Sequence, residues 1–202
     1  MAHYYEENPQ GESDRRLIQA RMHGMDFYFN TDSEVFSKKF LDFGSRVLLE
    51  TAIADLTALE KKKGKLLDLG CGYGPIGIVM KRVFPAMEVT MVDINLRALD
   101  LARENAESNN AKFVDIHQSD GCASVEGKYD VVLTNPPVRA GKQTVFSFYD
   151  GAREHLEEGG LLYVVLQKKQ GAPSSEKYLL ETFGNCDVIA KESGYWILRS
   201  KK

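Results

Sequence analysis

Apolar residues follow two rhythms along this chain. From Ser45 to Lys61 they recur at helical spacing, with Val47, Leu48, Ala52, Leu56 and Leu59 falling on one side, which predicts a helix. Beyond it the apolar positions come in short runs at Leu66, Val89, Phe113, Val131, Leu161, Val188 and Tyr195, each of strand length. Segments of helical periodicity, Ile76–Val83, Arg97–Ser108, Val145–Leu156 and Glu176–Phe183, separate most of these runs. Strands alternating with helices build a parallel sheet covered on two faces. The last two runs, Cys186–Ala190 and Tyr195–Arg199, have only Lys191-Glu192-Ser193-Gly194 between them, too little for a crossover helix, so they pair as an antiparallel hairpin. The expected fold is α/β: a Rossmann-like, seven-stranded, mostly parallel sheet with one antiparallel strand and helices on both faces. Ahead of it, Leu17–Met22 and Met25–Asn30, joined by His23-Gly24, read as a β-hairpin outside the sheet. The expected division is an amino-terminal appendage over residues 1–40, packed on or capping a main domain over residues 41–202.

Composition narrows the class. With 202 residues, 43% hydrophobic and 27% charged, the chain has the make-up of a globular protein able to bury most of its surface. No apolar stretch approaches membrane-spanning length, and Met1-Ala2-His3-Tyr4-Tyr5-Glu6-Glu7 is no signal peptide, so a cytoplasmic protein without membrane contact is expected. Cys71, Cys122 and Cys186 are widely spaced and odd in number, without Cys-x-x-Cys or a nearby histidine cluster; reduced thiols and no metal site are expected. The formal charge of −3 runs against a free-standing nucleic-acid binder, which usually carries a basic surplus. Cationic pairs partly offset it: Arg15-Arg16, Lys38-Lys39, Arg139 with Lys142, and Lys168-Lys169. The last two follow strand ends, where the crevice of a doubly wound sheet opens.

Two stretches carry chemistry. Leu66-Leu67-Asp68-Leu69-Gly70-Cys71-Gly72-Tyr73-Gly74-Pro75-Ile76-Gly77-Ile78 reads as strand, tight turn and helix, and Gly72, Gly74 and Gly77 satisfy G-x-G-x-x-G. Asp93 closes the next run about 20 residues on, where an acidic residue can hold ribose hydroxyls. A dinucleotide is the first rival ligand. Against it, Asp68 sets a carboxylate two residues before Gly70, which would repel a pyrophosphate and suits a cationic sulfonium; Pro75 removes a helix N-terminal donor that a phosphate would use. The second stretch is Asn135-Pro136-Pro137, directly after the run Tyr129 to Thr134. Both residues of the pair Asn135, Pro136 precede a proline and are pushed toward extended backbone, while the prolines have no N–H to offer. What remains is acceptors, the Asn135 side-chain oxygen and the carbonyls, which can take both hydrogens of an NH2 group and leave its lone pair aimed at an electrophile.

With these residues the chain resembles a class I S-adenosylmethionine-dependent methyltransferase, and more narrowly the ribosomal small-subunit RNA guanine-N2 methyltransferase family. The likeness is carried also by Val35-Phe36-Ser37, Leu41 to Leu49, Pro136 to Lys142, and Gln167-Lys168-Lys169-Gln170-Gly171-Ala172, and it runs from about the thirtieth residue to the end. The position after the diproline, aromatic in many Asn-Pro-Pro enzymes, is Val138 here, so stacking on a base must come from elsewhere.

The resemblance implies S-adenosylmethionine as cofactor, ribosomal RNA within a small-subunit particle as partner, and roles for particular residues. Asp68, Gly70, Cys71, Gly72 and Gly74 would lie near the methionine part, Asp93 on the ribose, Ile94 against the adenine face, and Ser119 and Asp120 at the adenine edge, with Asn135 close by. Asn135, Pro136 and Pro137 would be catalytic, and Phe36, Val138, Arg139, Lys142, Lys168 and Lys169 would meet the substrate. The Asp42 to Arg46 segment would close the pocket, or merely cap a helix. The base must be unpaired or flipped, with Phe36, Phe40, Phe146 and Tyr149 as candidates for stacking. Methylation of adenine N6 or of a protein glutamine amide, and a non-catalytic S-adenosylmethionine-binding assembly module, remain as alternatives.

Overall fold

The computed structural model describes residues 14–32 and 41–202. Among them the chain runs β1 Arg16–Met22, β2 Met25–Thr31, α1 Phe43–Ala58, β3 Gly64–Leu69, α2 Pro75–Val83, β4 Met87–Asp93, α3 Leu96–Ser108, β5 Val114–Gln118, β6 Tyr129–Thr134, α4 Lys142–His155, β7 Leu156–Gln167, α5 Ala172–Phe183, β8 Asp187–Glu192 and β9 Tyr195–Lys201. Strands β3 to β9 form one sheet in the order β5-β4-β3-β6-β7-β9-β8. Its neighbours are parallel except at β9, which runs antiparallel to both β7 and β8. This is the Rossmann-like sheet that the alternating runs and the four-residue link before β9 predict. The chain steps outward from β3 to β5 and then returns to lay β6 beside β3. Such a reversal opens a crevice beyond the carboxyl ends of the strands.

Period-two alternation divides the sheet between two cores. Leu66, Val131, Leu133, Tyr163 and Val165 join Leu48, Leu56, Ile78 and Leu99 of α1, α2 and α3. Leu67, Val132, Leu162 and Val164 face Val145, Phe148, Tyr149 and Leu179 of α4 and α5.

The hairpin β1–β2 pairs in full register from Arg16 with Thr31 to Met22 with Met25, and its Phe27 and Phe29 share the first core. Its outer edge is closed by side chains. Asn105, on α3, and Asn109, the residue that caps its carboxyl end, lie four apart, and each offers β2 what a peptide group would. The Asn30 N–H donates to Asn105 Oδ1 at 2.7 Å while Asn105 Nδ2 donates back to the Asn30 carbonyl at 2.9 Å. Tyr28 exchanges the same pair of bonds with Asn109, at 2.9 and 2.7 Å. Asn105 Nδ2 also donates to the Tyr73 carbonyl at 2.9 Å, so one side chain fastens the hairpin and the glycine turn together.

Three local readings are revised. Helix α1 starts at Phe43 rather than Ser45, because the Asp42 side chain accepts the Ser45 N–H at 2.9 Å and caps it. Strand β5 starts at Val114, since Phe113 has φ +59° and is 91% exposed, a left-handed backbone that ends the ladder. Arg15 and Arg16 do not form a free cationic patch: they pair with Glu104 at 3.0 Å and Asp14 at 2.6 Å.

Replacing Asn105 by alanine leaves the Asn30 N–H and the Asn30 and Tyr73 carbonyls without these partners. The unfolding free energy should fall by about 3 kcal/mol, read from the urea midpoint, and a loss within the roughly 0.5 kcal/mol of an ordinary surface change would disprove the clasp.

Candidate active site

Beyond β3 the glycine turn consumes its own donors. The Gly70 and Cys71 N–H groups both donate to the Val92 carbonyl at 2.9 Å, and the Gly74 N–H to the Cys71 carbonyl at 3.0 Å. Two carboxylates take the next pair: Asp93 Oδ2 accepts the Gly72 N–H and Asp68 Oδ2 the Gly77 N–H, each at 2.8 Å. Pro75 begins α2 without an N–H. A diphosphate would find few open donors here and two anions. Gly77 allows the close fit, since a Cβ there would stand 2.6 Å from Met91 and 3.1 Å from Asp68 Oδ2.

The Asp68 side chain is fully buried, and its Oδ1 has no hydrogen-bond partner among the described residues. Burial, with the Asp93 charge adding to it against the Gly77 bond, pushes its carboxyl up to about 7. Burial likewise pushes the Asp93 carboxyl up, against bonds from the Asn95, Gly72 and Ile94 N–H groups. Cys71 is held well above an ordinary thiol, first by burial and then by the charges of Asp68 and Asp93, so it is a small neutral side chain and no nucleophile.

At the end of β6, the Thr134 hydroxyl donates to the Leu69 carbonyl at 2.8 Å and ties this strand end to the glycine turn. Pro137, at φ −75° and ψ 76°, makes an inverse γ-turn in which the Val138 N–H donates to the Pro136 carbonyl at 2.8 Å. Asn135 Nδ2 donates to Asp42 Oδ2 and to Ser45 Oγ, both at 3.0 Å. A carboxylate accepts and never donates, so this contact fixes which end of the amide is which. Oδ1 is left without a partner among the described residues. Asp42 is thus at once the cap of α1 and the anchor of Asn135, and of the Asp42 to Arg46 segment Asp42 and Ser45 line the cavity.

These pieces surround a cavity of about 460 Å³. Gly70, Cys71, Gly72, Asp93, Ile94, Ser119, Asp120, Asn135, Pro136, Pro137, Val138 and Arg139 all line it. Asp68 and Gly74 do not: Asp68 supports the turn from behind, and Gly74, at φ +92°, turns the chain into α2. Lys142, Lys168 and Lys169 are also away from the lining. Lys142 extends its ammonium over Phe146, 5.1 Å from the ring centroid, and the other two are exposed just past β7. Phe36, Phe40, Lys38 and Lys39 lie outside the described residues. Of the stacking candidates, Tyr149 is core, bonded to Ser175 at 3.0 Å, and Phe146 stacks on Tyr178 in a separate groove. The aromatics that do line the cavity are Tyr73, Phe148 and Tyr195. Ser45 and Gln167 fall in stretches that carry the family likeness without having been given a role of their own, whereas Tyr195 carries no motif, and the pairing of β9 with β7 brings it to the cavity. Among the described residues no cluster of three acidic, cysteine or histidine side chains is placed to hold a metal, and no helix is long and apolar enough to cross a membrane.

Comparison with known proteins bears on what this cavity belongs to. Residues 26–199 match the model of a family described as methyltransferase small domain. A Bacillus subtilis protein, YbxB, described as uncharacterized, is 43% identical over 202 residues, which is 99% of this chain and 98% of that one. The Haemophilus influenzae ribosomal RNA small subunit methyltransferase C is 33% identical over 171 residues, covering 83% of this chain and 49% of its own. A T. thermophilus 16S rRNA guanine-N2 methyltransferase, solved with AdoMet and guanosine, superimposes with a TM-score of 0.84 at 27% identity over 93% of this chain and 50% of that one. The chain spans about half the length of these two RNA methyltransferases. Since the match extends from β2 into β9 and takes in both the glycine turn and the Asn-Pro-Pro loop, the chain belongs to the methyltransferase small domain family.

Proposed function

We propose that this protein transfers the methyl group of S-adenosylmethionine to the exocyclic N2 amine of a guanine in small-subunit ribosomal RNA, in the cytoplasm. One observation carries the reading: Asn135 Nδ2 is held by Asp42 and Ser45, so that the side-chain atom left unengaged among the described residues is an acceptor at the cavity. An exocyclic amine is a poor nucleophile because its lone pair is delocalised into the ring. Asn135 Oδ1, with the second lone pair of the Pro136 carbonyl, draws the two amine hydrogens out of the ring plane and frees that lone pair. As the N–C bond forms and the C–S bond breaks, the same oxygens stabilise the positive charge growing on nitrogen. A preorganised contact of this kind is worth about 3 kcal/mol of transition-state stabilisation. The proton then leaves to water.

The residues present fit the methyl donor. The orphaned Asp68 oxygen and the carboxylate-bound turn favour a cation and disfavour a diphosphate. Asp93 accepts the Gly72 N–H at Oδ2 and the Asn95 N–H at Oδ1, and its remaining acceptor capacity is open to ribose hydroxyls. Ile94 covers the adenine face, Ser119 and Asp120 meet its edge, and the backbone from Gly70 to Gly72 borders the methionine part. When bound, the group supplies an activated methyl on a sulfonium. On the RNA side, Arg139, Lys168 and Lys169 are exposed cations with no carboxylate partner among the described residues, and Val138 provides an apolar wall. The overall charge of −3 favours a small-subunit particle, whose shape adds to affinity, over naked RNA. The amino-terminal segment to residue 40, with its hairpin, serves as the appendage to the methyltransferase domain.

Tritiated S-adenosylmethionine offered with naked 16S RNA, small-subunit particles and a peptide-release factor tests the assignment. Label is expected in N2-methylguanosine after nucleoside digestion; label in N6-methyladenosine or in protein overturns it. Asn135→Ala should abolish turnover while cofactor affinity stays within a few-fold, and Asp42→Ala should lower kcat by roughly tenfold or more with a small effect on cofactor binding. Asp68 adds a signature in stability. Its folded pKa of about 7 lies above the unfolded value of about 4, so its contribution is complete below pH about 4 and is lost as pH rises through about 7. Relative to Asp68→Asn, the ligand-free protein should therefore lose on the order of 4 kcal/mol between those limits, measured by urea titration at each pH.

A further inference from the structure

Two side chains at the cavity have complementary hydrogen-bonding atoms that nothing among the described residues uses. Strands β6 and β7 are parallel with Thr134 beside Val164, and β9 sets Tyr195 directly across from Gln167. Leu133, Val165 and Ile197 belong to the core under α1, so alternation puts Asn135, Gln167 and Tyr195 on that same face at the sheet's carboxyl end. All three line the cavity. Helix α1 comes down against them at Gly44, where a Cβ would stand 2.7 Å from the Tyr195 ring. The Tyr195 hydroxyl accepts from Gln167 Nε2 at 2.6 Å. That bond leaves the Gln167 Oε1 as an acceptor and the Tyr195 O–H as a donor, both unengaged among the described residues. Across the three strand ends the cavity offers an acceptor on Asn135, an acceptor on Gln167 and a donor on Tyr195.

The Watson–Crick edge of guanine has the complementary series: the N2 amine donates, N1–H donates and O6 accepts. We propose that Gln167 and Tyr195 are the base-reading pair of this site, with Gln167 Oε1 accepting from guanine N1–H and the Tyr195 hydroxyl donating to O6. The proposal rests on the guanine-N2 reading above and extends it to how guanine is selected. A purine with the same amine but a bare N1 and no O6 sets two lone pairs against each other at Gln167 and leaves the Tyr195 hydroxyl unpaired. Sites built to pair with a polar group reject analogues lacking it strongly, because their own buried groups are left without partners.

Guanosine and 2-aminopurine riboside, which shares the N2 amine and lacks N1–H and O6, separate recognition of the edge from recognition of the amine. Their affinities are measured by ligand-observed NMR on the whole chain saturated with S-adenosylhomocysteine. The unaltered protein should favour guanosine by at least about tenfold. Gln167→Leu should bring guanosine down to the level of 2-aminopurine riboside and leave the latter within about twofold. Tyr195→Phe, which keeps the ring against Gly44, should lower the guanosine preference by about fivefold and guards against a Gln167 variant that fails to fold. Asn135→Ala should weaken both ligands together. The proposal is overturned if the unaltered protein binds guanosine no better than 2-aminopurine riboside or not at all, or if Gln167→Leu weakens both equally, as a merely structural role would. None of these results touches the methyl-transfer assignment, which fails separately, if tritium appears in protein or in N6-methyladenosine.

Discussion

An asparagine amide has two ends of nearly the same shape and opposite chemistry, and the site turns on which end meets the cavity. Were Asn135 free to flip, its NH2 would face the cavity part of the time, a donor in place of an acceptor. Asp42 removes that freedom, because a carboxylate accepts only, and Ser45 holds the second hydrogen. A hydrogen bond to a charged group contributes roughly 1.5–3 kcal/mol, enough to bias the flip by tenfold or more. The anchor is a helix cap. Asp42 is placed by the start of α1, and α1 is placed by its apolar stripe on the sheet, so the packing of Leu48, Leu49 and Leu56 ultimately orients one amide at the end of β6.

The same cavity carries opposite electrostatic characters on its two sides. Beneath it the glycine turn directs backbone donors into Asp68 and Asp93, which removes the helix N-terminus as an anion site and leaves carboxylates in its place. The buried Asp68 is balanced near neutrality by desolvation, and a nearby cation shifts that balance toward the ionised form. At its lining Arg139 is an exposed cation, and Lys168 and Lys169 are exposed just past β7.

Much of this was legible in the chain itself. The seven runs, the helical segments between them and the short link before β9 specify a parallel sheet closed by one reversed strand, because period, length and connection length are local properties. The glycine turn and the Asn-Pro-Pro loop are also local: each acts through consecutive residues whose backbone preferences do not depend on the rest of the molecule. The motif therefore pointed to the cavity, and twelve of the residues singled out from sequence line it. Charge pairs were read less well. Arg15, Arg16 and Lys142 looked like open cations, but their partners Glu104, Asp14 and Phe146 are set by packing or by side-chain direction.

By itself, then, the sequence determined the order and kind of the elements and the two loops that define the chemistry, since those follow from spacing and from the stiffness of proline and the freedom of glycine. Only the tertiary structure decided that Asp68 sits behind the turn instead of at the cavity, that Asn105 and Asn109 close the hairpin edge, that Asp42 bonds Asn135, and that Gln167 and Tyr195 line the same cavity. These contacts join residues 75 to 93 positions apart or lie across strands whose neighbours the order β6-β7-β9 alone supplies. No local pattern encodes them, because the free energy that selects them is the burial of whole faces against one another.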